Sequence, residues 1–263
     1  MTAPVLYLPH GGGPMPLMND PAHAGLIRFL RDLGKSYPRP AALVLISGHW
    51  EARVPALNAA AAPGMLYDYS GFPPETYRIT YPAPGKPELA LRIAELLEQG
   101  GFASELVRDR GYDHGVFVPL KLVYPDADVP VVQLSLIKGL DAAQHIALGR
   151  CLAPLREANI AIVGSGMSFH NLQAIFAGER AELRAASDQF DAWLRDTVTT
   201  PALDEAQRSE ALAQWQQAPY ARFSHPREEH LLPLHVCYGA AGAPGKVVFN
   251  EALMGHKVSG FGW

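Results

Sequence analysis

Cysteine is scarce in this chain. Its two cysteines, Cys151 and Cys237, show no C-x-x-C spacing. That excludes a disulfide framework and a thiolate metal knot, and leaves two small apolar side chains in a reducing compartment. Long apolar runs are also missing: no stretch approaches the roughly 18 residues of a membrane span. The opening "MTAPVLYLPH" has no basic region ahead of a long apolar run, so it does not read as a secretion signal, and the expected location is cytoplasmic. No basic block accompanies the net charge of −4, so nucleic acid and membrane surfaces are not expected partners. There is no repeat, low-complexity tract or linker, and residues 1–263 read as a single catalytic domain. With 48% hydrophobic and 18% charged residues, the chain can bury a sizeable core.

Short β-branched and aliphatic runs at 4–9, 41–47, 129–136, 160–166 and 246–253 have the length and composition of buried strands. Helical patterns at 21–35, 86–101, 139–158 and 180–198 lie between them. Such alternation predicts an α/β fold, with a central, largely parallel or mixed sheet flanked by helices. Two segments break the rhythm. Residues 59–87, rich in Pro, Gly and Tyr, read as a long ordered loop with a short extended piece, "TYRITYP". Residues 200–223 read as a helix between loop ends. Long ordered loops in such folds often wall a site.

What the sequence has in quantity is histidine, ten residues in all. His10 follows the first strand in "YLPHGGGP", His49 the second in "LISGHWE", and His170 the fourth in "IVGSGMSFHN". His114 opens an apolar helix in "GYDHGVFVPL", and His225 and His230 bracket an Arg-Glu-Glu cluster in "FSHPREEHLLPL". Side chains just past the carboxyl ends of strands converge on one crevice in open α/β sheets, so the site is expected there. A single histidine near a turn is more often structural than functional; it is their co-occurrence that points to a site. His23, His145, His235 and His256 lack the strand-end setting and read as structural.

"HGGGPMP" matches neither phosphate-loop pattern, and its prolines hinder the helix start a phosphate would need. "GSGMS" is not a nucleophile elbow. Two or three neutral imidazoles suit a borderline divalent metal such as Zn or Fe(II) and leave open positions for substrate. Metal chemistry therefore outranks serine or cysteine hydrolysis.

Taken together, "PHGGGPMPLM", "ISGHWE", "YDYSGFPPETYRITYPAPG", "DHGVFVPLKLVYP", "VGSGMSFHNL" and "HPREEHLLPLHVCYGAAG" resemble the DODA-type (4,5-DOPA) extradiol ring-opening dioxygenases. These belong to the class III extradiol superfamily, which includes the catalytic subunit of protocatechuate 4,5-dioxygenase. The resemblance runs in the same order from His10 to beyond Gly242. It implies one non-haem divalent metal at the strand ends, Fe(II) for activity, with Zn(II) sometimes bound. The implied reaction opens a catechol ring beside its hydroxyls with O2, to a muconic semialdehyde-type product; the partners are thus a small aromatic diol and O2, and a homo-oligomer is compatible with the family.

By position, His10, His49 and His230 are similar to the family's metal ligands, His170 to its catalytic base, and His114 and His225 to pocket residues that deliver protons. The protocatechuate branch uses two histidines and a glutamate, so Glu228 or Glu229 stands as an alternative to His230, and His170 lies near the metal in some members. Two other readings use the same residues: a zinc-dependent hydrolase and a non-enzymatic binding protein of the same fold. For the substrate, Tyr67, Tyr69, Phe72 and Tyr77 either stack on a ring or simply pack their loop, and Arg222 and Arg227 are candidates to hold a carboxylate.

Overall fold

Alternation along the strands decides which helices cover which face. The computed structural model describes residues 2–178 and 180–263. Its strands are β1 (Val5–Pro9), β2 (Ala42–Ala52), β3 (Ala56–Asn58), β4 (Glu105–Val107), β5 (Val131–Ile137), β6 (Ile160–Gly166), β7 (Lys246–Leu253) and β8 (His256–Gly262). They form one sheet in the order β4-β3-β5-β2-β6-β1-β8-β7. The centre, β5-β2-β6-β1, is parallel. Antiparallel pairs border it, β3 on β5 and β8 on β1, so the sheet is mixed, as expected.

The helices are α1 (Ala24–Ser36), α2 (Pro87–Gln99), α3 (His114–Val123), α4 (Ala142–Leu152), α5 (Leu172–Phe176), α6 (Ala181–Thr199), α7 (Glu205–Ala213), α8 (Ala221–Ser224) and α9 (Leu232–Ala241). Val5, Tyr7, Val44, Ile46, Val132 and Leu134 point to one face, under α2, α4, α6 and α9. Their sequence neighbours Leu6, Leu8, Leu43, Leu45 and Val131 point to the other, under α1 and α3. Both faces are covered, which is why the central strands read as unbroken apolar runs. Helices α4 and α9 approach closely through glycine. A Cβ at Gly149 would stand 2.0 Å from the Val236 carbonyl oxygen, and one at Gly239 would stand 2.0 Å from that of Ile146.

Three expectations change. Only the second half of "TYRITYP" leaves the helical region: Pro74–Arg78 is a 3-10 helix, and the chain becomes extended at Ile79. The paired prolines start a turn there, and Thr76 and Ile79 give their carbonyls to the Tyr69 and Tyr67 hydroxyls instead of to a strand. Residues 200–223 are not one helix: α7 ends at Ala213, Trp215–Gln217 is a 3-10 helix, and Pro219 keeps that turn from running on into α8. The second strand also runs past residue 47, so His49 lies within β2 and not after it. It sits where the register with β5 shifts, between Ile46 and Glu51; such irregularities re-aim side chains beside functional sites. Among the described residues no helix is long and apolar enough to cross a membrane.

Candidate active site

Three chain segments meet at the carboxyl ends of β1, β2 and β6. His10 leaves β1 with its backbone N–H still bonded to the Gly166 carbonyl at 3.2 Å. His230 arrives from the α8–α9 connection, which lies directly on β6: a Cβ at Gly166 would be 2.1 Å from the His230 carbonyl oxygen. That carbonyl accepts from the Tyr7 hydroxyl at 2.8 Å and from the Met167 N–H at 3.1 Å. Glycine on the strand and a buried tyrosine below it therefore fix the loop. The result is a trio of imidazoles, with His49 Nε2 lying 3.2 Å from His10 Nε2 and 3.1 Å from His230 Nε2.

The outer edges of these rings decide where their protons sit. Ser165 Oγ gives its hydrogen to the Gly115 carbonyl, so it accepts from His10 Nδ1 at 3.0 Å. His230 Nδ1 lies 3.0 Å from Glu229 Oε1, and His49 Nδ1 lies 3.5 Å from Asp68 Oδ2. An ionised carboxylate only accepts, so His230 Nδ1 carries the proton; Asp68 faces His49 Nδ1 without a hydrogen bond. Burial, then the neighbouring imidazoles, holds His10 well below the ordinary histidine value. Burial and His170 do the same to His230, against the opposing pull of Glu229. Burial followed by His114 brings His49 to about 4, with Asp113 and Asp68 opposing. Three neutral rings thus aim Nε2 atoms at one point. This donor set fits a divalent cation: neutral imidazoles, two with their second nitrogens bonded to oxygen and the third facing a carboxylate.

Two carboxylates flank the trio. Asp68, from the aromatic loop, accepts from the His114 N–H at 3.0 Å and from His114 Nδ1 at 2.8 Å. Burial pushes its carboxyl up, but the His114 hydrogen bonds and the nearby His49 outweigh this and bring it to about 2. Glu229 contacts both His230 Nδ1 and, at 3.2 Å, His170 Nδ1. Burial again opposes, and the bonds from His170 and His230 hold it far below the carboxylate range. The His170 ring stacks on His230 with centroids 3.5 Å apart and planes at 18°. Glu229 thus meets the Nδ1 edges of its two rings, and Glu228 pairs with Arg222 at 2.6 Å.

His225 lies elsewhere. It is buried; its Nε2 meets the Ser168 carbonyl at 2.9 Å, and its ring packs against Phe190 and Trp215. Burial, opposed by that carbonyl, lowers it to about 3. It does not line the cavity over the trio, where it was expected to face substrate: the Ser168 carbonyl and the Phe190 and Trp215 rings hold it inward. Arg227 and Arg222 are likewise engaged, Arg227 in a paired contact with Glu51 at 2.6 and 2.7 Å. The cavity measures about 420 Å³, with His10, His49, His114, His170 and His230 in its lining. A larger depression of about 630 Å³ between α1 and the end of α3 has none of these histidines.

Sequence reasoning missed Asp68, Ser165 and Tyr7. The one signal for Asp68 was an acid set between two tyrosines in a loop already suspected of walling a site; Ser165 and Tyr7 read as ordinary strand residues.

A family model described as the catalytic LigB subunit of aromatic ring-opening dioxygenase matches residues 3–262. The dioxygenase tasH of Hapsidospora irregularis is 40% identical, covering 99% of this chain and 85% of that protein. A 4,5-DOPA dioxygenase extradiol from Beta vulgaris is 42% identical over 79% of this chain and 76% of its own length. One of the same name from Escherichia coli K12 is 36% identical over 90% and 84%. Among solved structures, an uncharacterized protein from Escherichia coli K12 superposes with a TM-score of 0.81 at 31% identity, covering 99% of both chains.

Proposed function

The chain belongs to the aromatic ring-opening dioxygenase family of the catalytic LigB subunit and is an extradiol ring-cleavage dioxygenase; from that premise we propose that it opens a catechol beside its hydroxyls, with one divalent metal held by His10, His49 and His230. The observation that carries this reading is the convergence of three Nε2 atoms, with Nδ1 of His10 and His230 bonded to oxygen and Nδ1 of His49 facing Asp68. When bound, Fe(II) supplies a redox-active centre at which a catechol and O2 are brought together. Zinc suits the same nitrogens but lacks the redox change, so a zinc-loaded protein is inactive.

The chain's own residues handle protons. His170 lines the cavity with its Nδ1 on Glu229, so its Nε2 is the atom that accepts a proton from a catechol hydroxyl. Glu229 stabilises the imidazolium that forms. His114, held by Asp68 through Nδ1, is the second proton carrier and returns a proton to the oxygen leaving the broken bond. Both atoms of O2 enter the product, a muconic semialdehyde-type chain, and no external reductant is consumed.

The test is anaerobic reconstitution with Fe(II), addition of a catechol panel, then admission of O2. Consumption of one O2 per catechol with a yellow product is expected. No uptake with any catechol would contradict the reading, and equal uptake by the zinc form would contradict the redox role of the metal.

A further inference from the structure

The cavity over the trio is polar only at its floor. Three of the chain's six methionines, Met15, Met167 and Met254, line its walls together with Phe72. Thioethers are apolar, polarizable and adaptable, and they make favourable contacts with aromatic rings. Tyr69 has no hydroxyl hydrogen left to give a ligand, because it donates to the Thr76 carbonyl at 2.7 Å. Among the described residues, none that lines the cavity carries a Lys, Arg, Asp or Glu side chain. The nearby arginines are engaged: Arg227 with Glu51, Arg222 with Glu228, and Arg110 with Asp113 at 3.0 Å.

Size points the same way. A cavity of about 150 Å³ accepts a benzene ring, and this one measures about 420 Å³, so a bare catechol leaves much of it empty. The apolar wall also continues outward. Helix α5 carries Leu172 and Phe176 at the cavity edge, 52% and 82% exposed. Large apolar side chains held in water beside a pocket mark a surface that something apolar covers.

We propose that the cavity selects catechols whose ring substituent is uncharged and apolar, an alkyl or aryl group, over catechols bearing a carboxylate or an amino-acid side chain. This rests on the ring-cleavage reading above and narrows it. A carboxylate or ammonium against these walls loses water and gains no partner, whereas an alkyl or aryl group fills the volume and extends onto Leu172 and Phe176.

Two measurements on the full-length protein test it. With the Fe(II)-loaded enzyme, kcat/KM for 4-tert-butylcatechol and 3-phenylcatechol is expected to exceed that for protocatechuate and L-DOPA by about 100-fold or more. Anaerobic calorimetry with the same four compounds is expected to give the same order of Kd. Equal or tighter binding of either charged catechol overturns the proposal, whether or not turnover follows. If the binding order holds but no compound drives O2 uptake, the ring-cleavage reading fails and the selectivity stands. If L-DOPA is the best substrate, the reverse is true.

Two variants sharpen the result. Phe176→Ser, at an exposed position, should reduce the advantage of 3-phenylcatechol over L-DOPA about 10-fold. Met254→Arg should narrow it further by supplying a cation at the wall. An unchanged ratio in both variants would also overturn the proposal.

Discussion

Asp68 and Glu229 each hold one imidazole of the trio and one outside it, yet they do so from different places in the chain. Asp68 binds His114 at 2.8 Å and approaches His49 only to 3.5 Å. Glu229 holds His230 and His170 almost evenly, at 3.0 and 3.2 Å, and those two rings are stacked. Glu229 neighbours His230 in sequence, on a segment fixed by Tyr7 and Gly166. Asp68 comes from the aromatic loop, whose shape depends on the Tyr67 and Tyr69 hydroxyls. The difference separates two tasks. The Glu229 side ties His170 to the trio through one carboxylate, so a change there is expected to move both. The Asp68 side orients His114 with only a weak hold on the trio.

The largest expected effect tests the base. His170→Ala should retain metal and lose about 10²–10⁴-fold in kcat; unchanged turnover would remove His170 from that role. Next come the two carboxylates. Glu229→Gln should weaken both metal affinity and kcat, each by about 10–100-fold. Asp68→Asn should lower kcat by a similar factor with little change in metal affinity. Equal effects on affinity would erase the contrast between the two sides. A smaller and more indirect effect is expected from Gly166→Ala. Its methyl would meet the His230 carbonyl oxygen, costing about 1–3 kcal/mol of stability and loosening metal through a residue that touches neither metal nor substrate. Thermal unfolding and metal titration of that variant check it.

The smallest effect is on pH dependence. Burial lowers His225 to about 3 and His235 to about 4, against about 6.5 in an unfolded chain. The unfolded state therefore binds more protons between these values. Stability is fully present above about pH 6.5 and falls as the pH drops toward 4, by at most about 1.4 kcal/mol per pH unit per group. Unfolding temperatures measured from pH 7 to pH 5 should decline; a rise would contradict the burial of these rings.

Much of this was legible in the sequence because strand ends are local features. An apolar run that stops at histidine places His10 and His170, and α/β topology brings the ends together without knowledge of the loops. The outer strands were harder to see. Strands β3 and β4 have three residues each, and β8 mixes Gly, Ser and Lys into its apolar pattern. The supporting groups were hardest. Ser165 serves His10 only because β6 lies beside β1, and Asp68 serves His114 across a separation of 46 residues. His225 shows the opposite failure: its motif placed it in the pocket, but packing against Phe190 and Trp215 turned it inward.

The central claim is that His10, His49 and His230 form one metal site. Anaerobic Fe(II) titration of the wild-type protein beside His10→Ala, His49→Ala and His230→Ala tests it most directly. One equivalent of tightly bound metal is expected in the wild type and loss of that equivalent in each variant, with folding retained by circular dichroism. Full metal occupancy in the His230→Ala variant would contradict it.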